Sequence, residues 1–77
     1  MRDEARSLRD ALRLQITINE TRSRLFAEMA YTAEREDNQF LADVVRFIGR
    51  SHTVAALELA GELAVLQARH GHLFDND

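Results

Sequence analysis

The chain has 77 residues, no Pro, Cys or Trp, three Gly, and 13 acids against ten bases that are all Arg, for a net charge of −3. This length holds one small domain with a low buried fraction. The lack of Cys excludes a disulfide framework, a zinc finger, an iron–sulfur site and a thiol nucleophile, and mild acidity argues against a general polyanion binder.

Charges fill the first ten residues, where a signal peptide carries its apolar core. No apolar run approaches the ~20 residues that span a bilayer. These features predict a cytoplasmic, helix-rich domain with no membrane element.

From Met1 to Ile48 there is neither Gly nor Pro, which favours long uninterrupted elements. At 100° per residue, apolar positions from Ala5 through Leu12, Ile16 and Phe26 to Ala33 fall on one broad face. Arg, Asp and Glu occupy the other face, and Asp3 and Glu4 suit the positive end of a helix dipole. A first helix over about 3–36 follows, its stripe interrupted by Gln15, Asn19, Arg22 and Ser23.

The fully polar run Glu34–Gln39 is the clearest break in the chain, and Asp37-Asn38 has the composition of a turn and helix cap. After it, Leu41, Val45, Ile48 and His52 follow helical spacing. The pattern stutters at Ala55 and Ala56 and resumes as Leu59, Leu63, Leu66, His70 and Leu73. The second helix is therefore expected over about 39–70. Gly49 and Ser51 mark a bend, or a division into helices 39–49 and 52–70. Past Gly71 a frayed tail is expected.

Folding the halves antiparallel about Asp37-Asn38 brings the stripes together, with Ala33 opposite Leu41, Met29 opposite Val45, Phe26 opposite Ile48 and Leu8 opposite Leu66. Arg22 then falls opposite His52 and Asn19 opposite Ala55. The result is an all-α antiparallel hairpin about 50 Å long at 1.5 Å per residue.

Two helices do not suffice for residues 51–70. Apart from His, their only charges are Glu58, Glu62 and Arg69, and apolar side chains cover most of the circumference. Such a helix needs several neighbours. A hairpin of this size without staples lacks a sufficient core. Association of two copies into a four-helix bundle answers both needs. Ala56, Ala60, Ala64 and Ala68 form a small-residue row that, with Leu59, Leu63 and Leu66, is the expected dimer seam.

Gln15, Asn19, Arg22 and His52 form an expected central polar layer that sets register. The aromatics crowd the turn end. Tyr31, Phe40 and Phe47, with Met29, are the expected partner-binding surface, because exposed aromatics beside Met and Arg are typical of binding hot spots.

Little else in the sequence carries chemistry. His70, His72, Asp75 and Asp77 offer metal-ligand atoms, but on a tail without rigid spacing. There is no Glu-x-x-His pair for a carboxylate-bridged site. Ser7, Ser23 and Ser51 lie in no nucleophile motif, and no Gly-rich phosphate loop occurs. Neither enzymatic activity nor a cofactor is expected.

Residues 12–19, Leu-Arg-Leu-Gln-Ile-Thr-Ile-Asn, alternate apolar and polar, which is a strand signal. A strand, a helix over 22–36, a polar turn and a helix over 39–49 resemble the ribbon-helix-helix repressors and antitoxins. The resemblance implies that Arg13, Gln15, Thr17 and Asn19 read DNA from a dimeric ribbon, with Asn38 starting the last helix. It covers about half the chain. The family's interhelical Gly is missing, and residues 1–36 are neutral with seven Arg against seven acids.

Elimination leaves a small protein–protein interaction module that dimerises and binds an unidentified protein. It would act as a regulator or inhibitor, of the antiactivator, mobile-element-inhibitor or co-chaperone type, by occluding a partner's interface.

Overall fold

The computed structural model describes residues 2–70. They form two helices, α1 (Arg2–Arg35) and α2 (Gln39–His70), packed antiparallel in a rod of 53 × 16 × 14 Å. The all-α hairpin, its boundaries and the turn at Asp37-Asn38 are as the sequence predicts. α2 runs unbroken through Gly49 and Ser51, so the division at that point is not made. Expectations about the tail, including Gly71, His72 and Leu73, lie outside the described residues.

The turn closes α1 with a Schellman motif. Asn38 N–H donates to the Ala33 carbonyl at 2.8 Å and Asp37 N–H to the Glu34 carbonyl at 3.0 Å. Asp37 takes the left-handed conformation there, with φ 59°, at the position where Gly is the usual residue. Asn38 then caps α2. Its Oδ1 accepts the Leu41 N–H at 3.1 Å, and its carbonyl accepts the Ala42 N–H at 3.0 Å.

The seam between the helices follows steps of three and four without interruption. On α1 it runs Ala5, Arg9, Leu12, Ile16, Asn19, Ser23, Phe26, Ala30, Ala33. On α2 it runs Ala42, Val45, Gly49, His52, Ala56, Leu59, Leu63, Leu66, His70. Every one of these residues is buried or half-buried. An average step of 3.5 is the heptad repeat of a coiled-coil seam.

The tightest layer pairs the largest side chain with the smallest. A Cβ built on Gly49 would stand 3.2 Å from Phe26 Cβ and 3.6 Å from the Ser23 carbonyl. Gly49 thus allows a close approach. Counting outward from this layer, Ala33 is level with Ala42, Ala30 with Val45, and Leu12 with Leu63.

The sequence reading is therefore displaced by one residue. It selected Leu41 and Ile48 for the seam because they are large, and needed a stutter at Ala55 and Ala56. The structure uses Ala42 and Gly49 and has no stutter. Small residues let the backbones approach, and Leu41 and Ile48 are turned to the flank.

The expected strand at 12–19 is also corrected: these residues are helix throughout. Leu12 and Ile16 lie on the seam, while Ile18 and Leu14 lie on other sides of α1. Positions two apart lie about 200° around a helix, so the apolar residues at 12, 14, 16 and 18 fall on different sides of α1. Arg13, Gln15, Thr17 and Asn19 accordingly do not share one face of a ribbon.

Candidate functional site

Two features stand out on this scaffold: a polar cluster in the middle of the seam and a large apolar surface outside it.

The polar cluster is built on Asn19, Ser23, His52 and Thr53. Asn19 Nδ2 donates to the Gln15 carbonyl one turn back at 2.9 Å, which turns its Oδ1 toward α2. His52 Nδ1 lies 2.8 Å from that oxygen. An amide oxygen only accepts, so His52 Nδ1 carries the proton. The imidazole also stacks on Phe26, with centroids 5.7 Å apart and planes within 3°. Beside it, Ser23 Oγ donates to Thr53 Oγ1, whose own proton goes to the Gly49 carbonyl at 3.2 Å.

Asn19 and His52 of the expected layer thus meet, although Asn19 rather than Arg22 is the partner of His52. Arg22 is exposed, and Gln15 contributes its backbone carbonyl while its side chain is exposed. Ser23 and Thr53 complete the cluster instead. Ser23 is legible as an interruption of the apolar stripe. Thr53 is not, because it lies just off the seam. The hydroxyls bond each other and not the imidazole, so the cluster has no activated nucleophile. Its two cross-helix hydrogen bonds tie α1 to α2 in the middle of the seam.

Outside the seam, many large apolar side chains meet water. The most exposed are Phe40 at 81%, Leu57 at 68% and Phe47 at 67%, and Val54 and Val65 are also more than half exposed. Phe40, Phe47 and Val54 stand seven residues apart, so they form one line along α2. This line is opposite the seam.

A second apolar surface lies on one flank of the hairpin. Leu25 and Met29 of α1 line a shallow groove with Leu41 of α2, and Glu28, Thr32 and Glu36 form its polar edge. Steps of seven extend it to Ile18 and Ala11 on α1, and to Ile48 and Ala55 on α2, with Val44 beside them. The other flank has its own groove, lined by Ile16, Ala27, Ala56, Leu57 and Ala60 beyond Thr53, and is polar near the turn. There Arg46 pairs with Glu34 and lies 3.7 Å from Asp43, and Gln39 donates to Asp43 at 2.7 Å.

The four residues expected to bind a partner do not form one patch. Phe40 and Phe47 share the outer line of α2, whereas Met29 belongs to the apolar flank. Tyr31 is two residues from Met29, about 200° around α1, where its ring carries the Arg35 guanidinium 5.7 Å from its centroid. Adjacency in sequence at the turn end did not translate into adjacency on the surface.

The residues of the expected dimer seam divide similarly. Ala56 and Leu66 are buried and Leu59 and Leu63 half-buried against α1 of the same chain. Ala60, Ala64 and Ala68 are exposed. A step of four advances about 40° around a helix, so the alanine row starts in the seam at Ala56 and winds out of it.

Among the described residues no group of three or more His, Cys, Asp or Glu could hold a metal ion. No described helix is long and apolar enough to cross a membrane. Comparison with protein-family models, with curated proteins and with solved structures found no match.

Proposed function

We propose that this chain is a non-enzymatic protein–protein interaction module, acting in the cytoplasm as a regulator or inhibitor by covering an interface of another protein. The observation that carries the reading is the line of Phe40, Phe47 and Val54 along the outer side of α2. Phe has no polar atom to place in water, and two Phe at 81% and 67% exposure represent a large unspent hydrophobic contribution. Burying each fully contributes roughly 1.5–3 kcal/mol. Rigid aromatic side chains on an ordered helix also lose little entropy on docking, which is why aromatics dominate hot spots.

The mechanism is occlusion. The line runs along one continuous helix, so it fits an elongated groove or another helix, as an amphipathic helix fits its groove. Arg50 at its edge supplies a positive rim.

The test compares the wild-type chain with a Phe40→Ser/Phe47→Ser variant as bait in an extract of the source cell. Both positions are exposed, so helicity and mass should match. The expected result is a protein retained by the wild type and lost with the variant. Equal recovery of every captured protein by both baits would refute the reading.

A further inference from the structure

We propose that a second copy of this chain covers the apolar flank, with both turns at the same end and α1 of each copy lying along α2 of the other. This goes beyond the partner-binding reading and does not depend on it, because it uses a different side of the molecule.

The first argument is area. The chain exposes 5632 Å², whereas a folded monomer of 8.8 kDa is expected to expose about 4,800 Å². The surplus is about 800 Å², the share that one partner contributes to a stable interface of standard size. Among the described residues no large side chain is fully buried, as expected for a layer one helix thick.

The second argument is where that surplus is apolar. Leu25 and Met29 line a groove with Leu41 on one flank, and all three are exposed. The other flank is occupied by the Glu34–Arg46 pair and the Ser23–Thr53 bond. Beyond these pairs that flank has a groove lined by Ala27, Leu57 and Ala60 with Glu20 and Arg24 at its rim, so near the turn it is the first flank that presents large apolar side chains to an identical copy.

The third argument fixes the orientation. Near the turn the flank carries Leu25, Met29, Leu41 and Ile48, with Glu28, Thr32 and Glu36 along the edge of the same groove. Further along, the row through Met29 continues as Arg22 and Gln15, and the row through Leu41 and Ile48 reaches Glu62 by way of Ala55. A two-fold axis can run along the helices or across them. Along the helices, the turns coincide and apolar half covers apolar half. Arg22 and Gln15 then border the stretch of the partner's α2 that carries Glu58 and Glu62. Across the helices, Leu25, Met29 and Ile48 would cover the charged half, and charges would be desolvated against leucine and methionine. The first arrangement avoids that cost. It leaves Phe40, Phe47 and Val54 outside the dimer.

The absence of Cys makes the test direct, since one introduced thiol marks one site per copy. Gln39→Cys places a nitroxide at the exposed start of α2, on the polar flank. With the turns together, the two labels lie within about three helix diameters, roughly 35 Å. With the turns opposed they lie near the 53 Å length of the rod. The expected result is a dimer mass in sedimentation with the short distance. A long distance, or a concentration-independent monomer mass, overturns the proposal. Leu25→Glu, exposed in the single hairpin, should weaken self-association at least tenfold, while Phe47→Glu should leave it unchanged. The reverse pattern would assign the interface to the outer line of α2 and overturn the proposal.

Discussion

Gly49 and Gly61 lie within the same helix in opposite surroundings, so one substitution at both sites measures how closely the two helices approach. In a helix interior, Ala is favoured over Gly by about 0.8–1 kcal/mol. At Gly61 nothing stands within 4 Å of an added Cβ, so Gly61→Ala should stabilise the fold by about 0.5–1 kcal/mol. At Gly49 the new methyl would lie 3.2 Å from Phe26 Cβ and 3.6 Å from the Ser23 carbonyl. Neither atom is the end of a flexible side chain. Phe26 Cβ is fixed to the α1 backbone, so relief requires the helices to separate by a few tenths of an ångström. That movement loosens the Phe26–His52 stack and the Asn19–His52 bond as well. Overpacking of this kind costs about 1–3 kcal/mol. After the propensity gain, Gly49→Ala should destabilise by about 0–2 kcal/mol, opposite in sign to Gly61→Ala. Urea unfolding followed by far-ultraviolet circular dichroism gives both values. It must be run at one fixed chain concentration, because self-association raises apparent stability. Stabilisation by Gly49→Ala equal to that by Gly61→Ala would refute the close approach, and with it the register built on this layer.

The turn yields a second prediction. Asp37 is held at φ 59°, where an L-residue is disfavoured and Gly is not, so Asp37→Gly should raise stability by about 0.5–1 kcal/mol in the same unfolding assay. Asn38→Ala removes the acceptor of the Leu41 N–H and should cost about 1 kcal/mol. For the polar cluster, Asn19→Leu and His52→Leu should each lower stability by about 1–2 kcal/mol, because each leaves a half-buried polar partner unpaired. The double variant should recover most of that loss, and additive losses in this cycle would show that the two side chains do not act as a pair. Arg22→Leu, at an exposed position, should stay within about 0.5 kcal/mol of wild type.

The elements were legible in the sequence for physical reasons, and so was the one-residue error in register. Two long helices follow from the lack of Gly and Pro before Gly49, and the turn follows from the polar run ending in Asp37-Asn38. Register was misplaced because near the turn the seam is made of Ala30, Ala33, Ala42 and Gly49. These residues are weak hydrophobic signals but lie in the closest contact. Larger neighbours such as Leu41 and Ile48 dominate a reading by hydrophobicity, although they flank the seam. The strand-like run at 12–19 has a related origin. α1 has a seam through Leu12 and Ile16 and a flank through Ile18, and the two superimposed patterns alternate like a strand. α2 reads as apolar all round because it carries three stripes: seam, flank and outer line. Within the site, His52 and Asn19 were identifiable as polar residues in an apolar pattern. Their pairing with each other was not, since it depends on the one-residue register. Nor was the separation of Tyr31 from Met29, which depends on helix phase rather than on distance along the chain.

The distribution of polarity gives the hairpin its logic. Polar side chains occupy the middle of the seam, and many of the largest apolar ones are outside it. A single hairpin gains little from this inversion, because a central Asn–His pair contributes less than leucines would at those positions. We infer that it specifies pairing instead. Several helices with apolar faces, brought together by self-association or by a partner, could exchange neighbours or slide by a heptad. A slide of seven residues would bring His52 level with Ile16 or Ala30 and leave its Nδ1–H without the Asn19 oxygen. That loss falls only on wrong registers, so the polar seam keeps α1 on its own α2 while the apolar surfaces remain available for binding. The Asn19→Leu/His52→Leu variant separates the two contributions. It should unfold at equal or higher denaturant than either single variant, and yet show broader label-to-label distances in the Gln39→Cys background than the parent chain does.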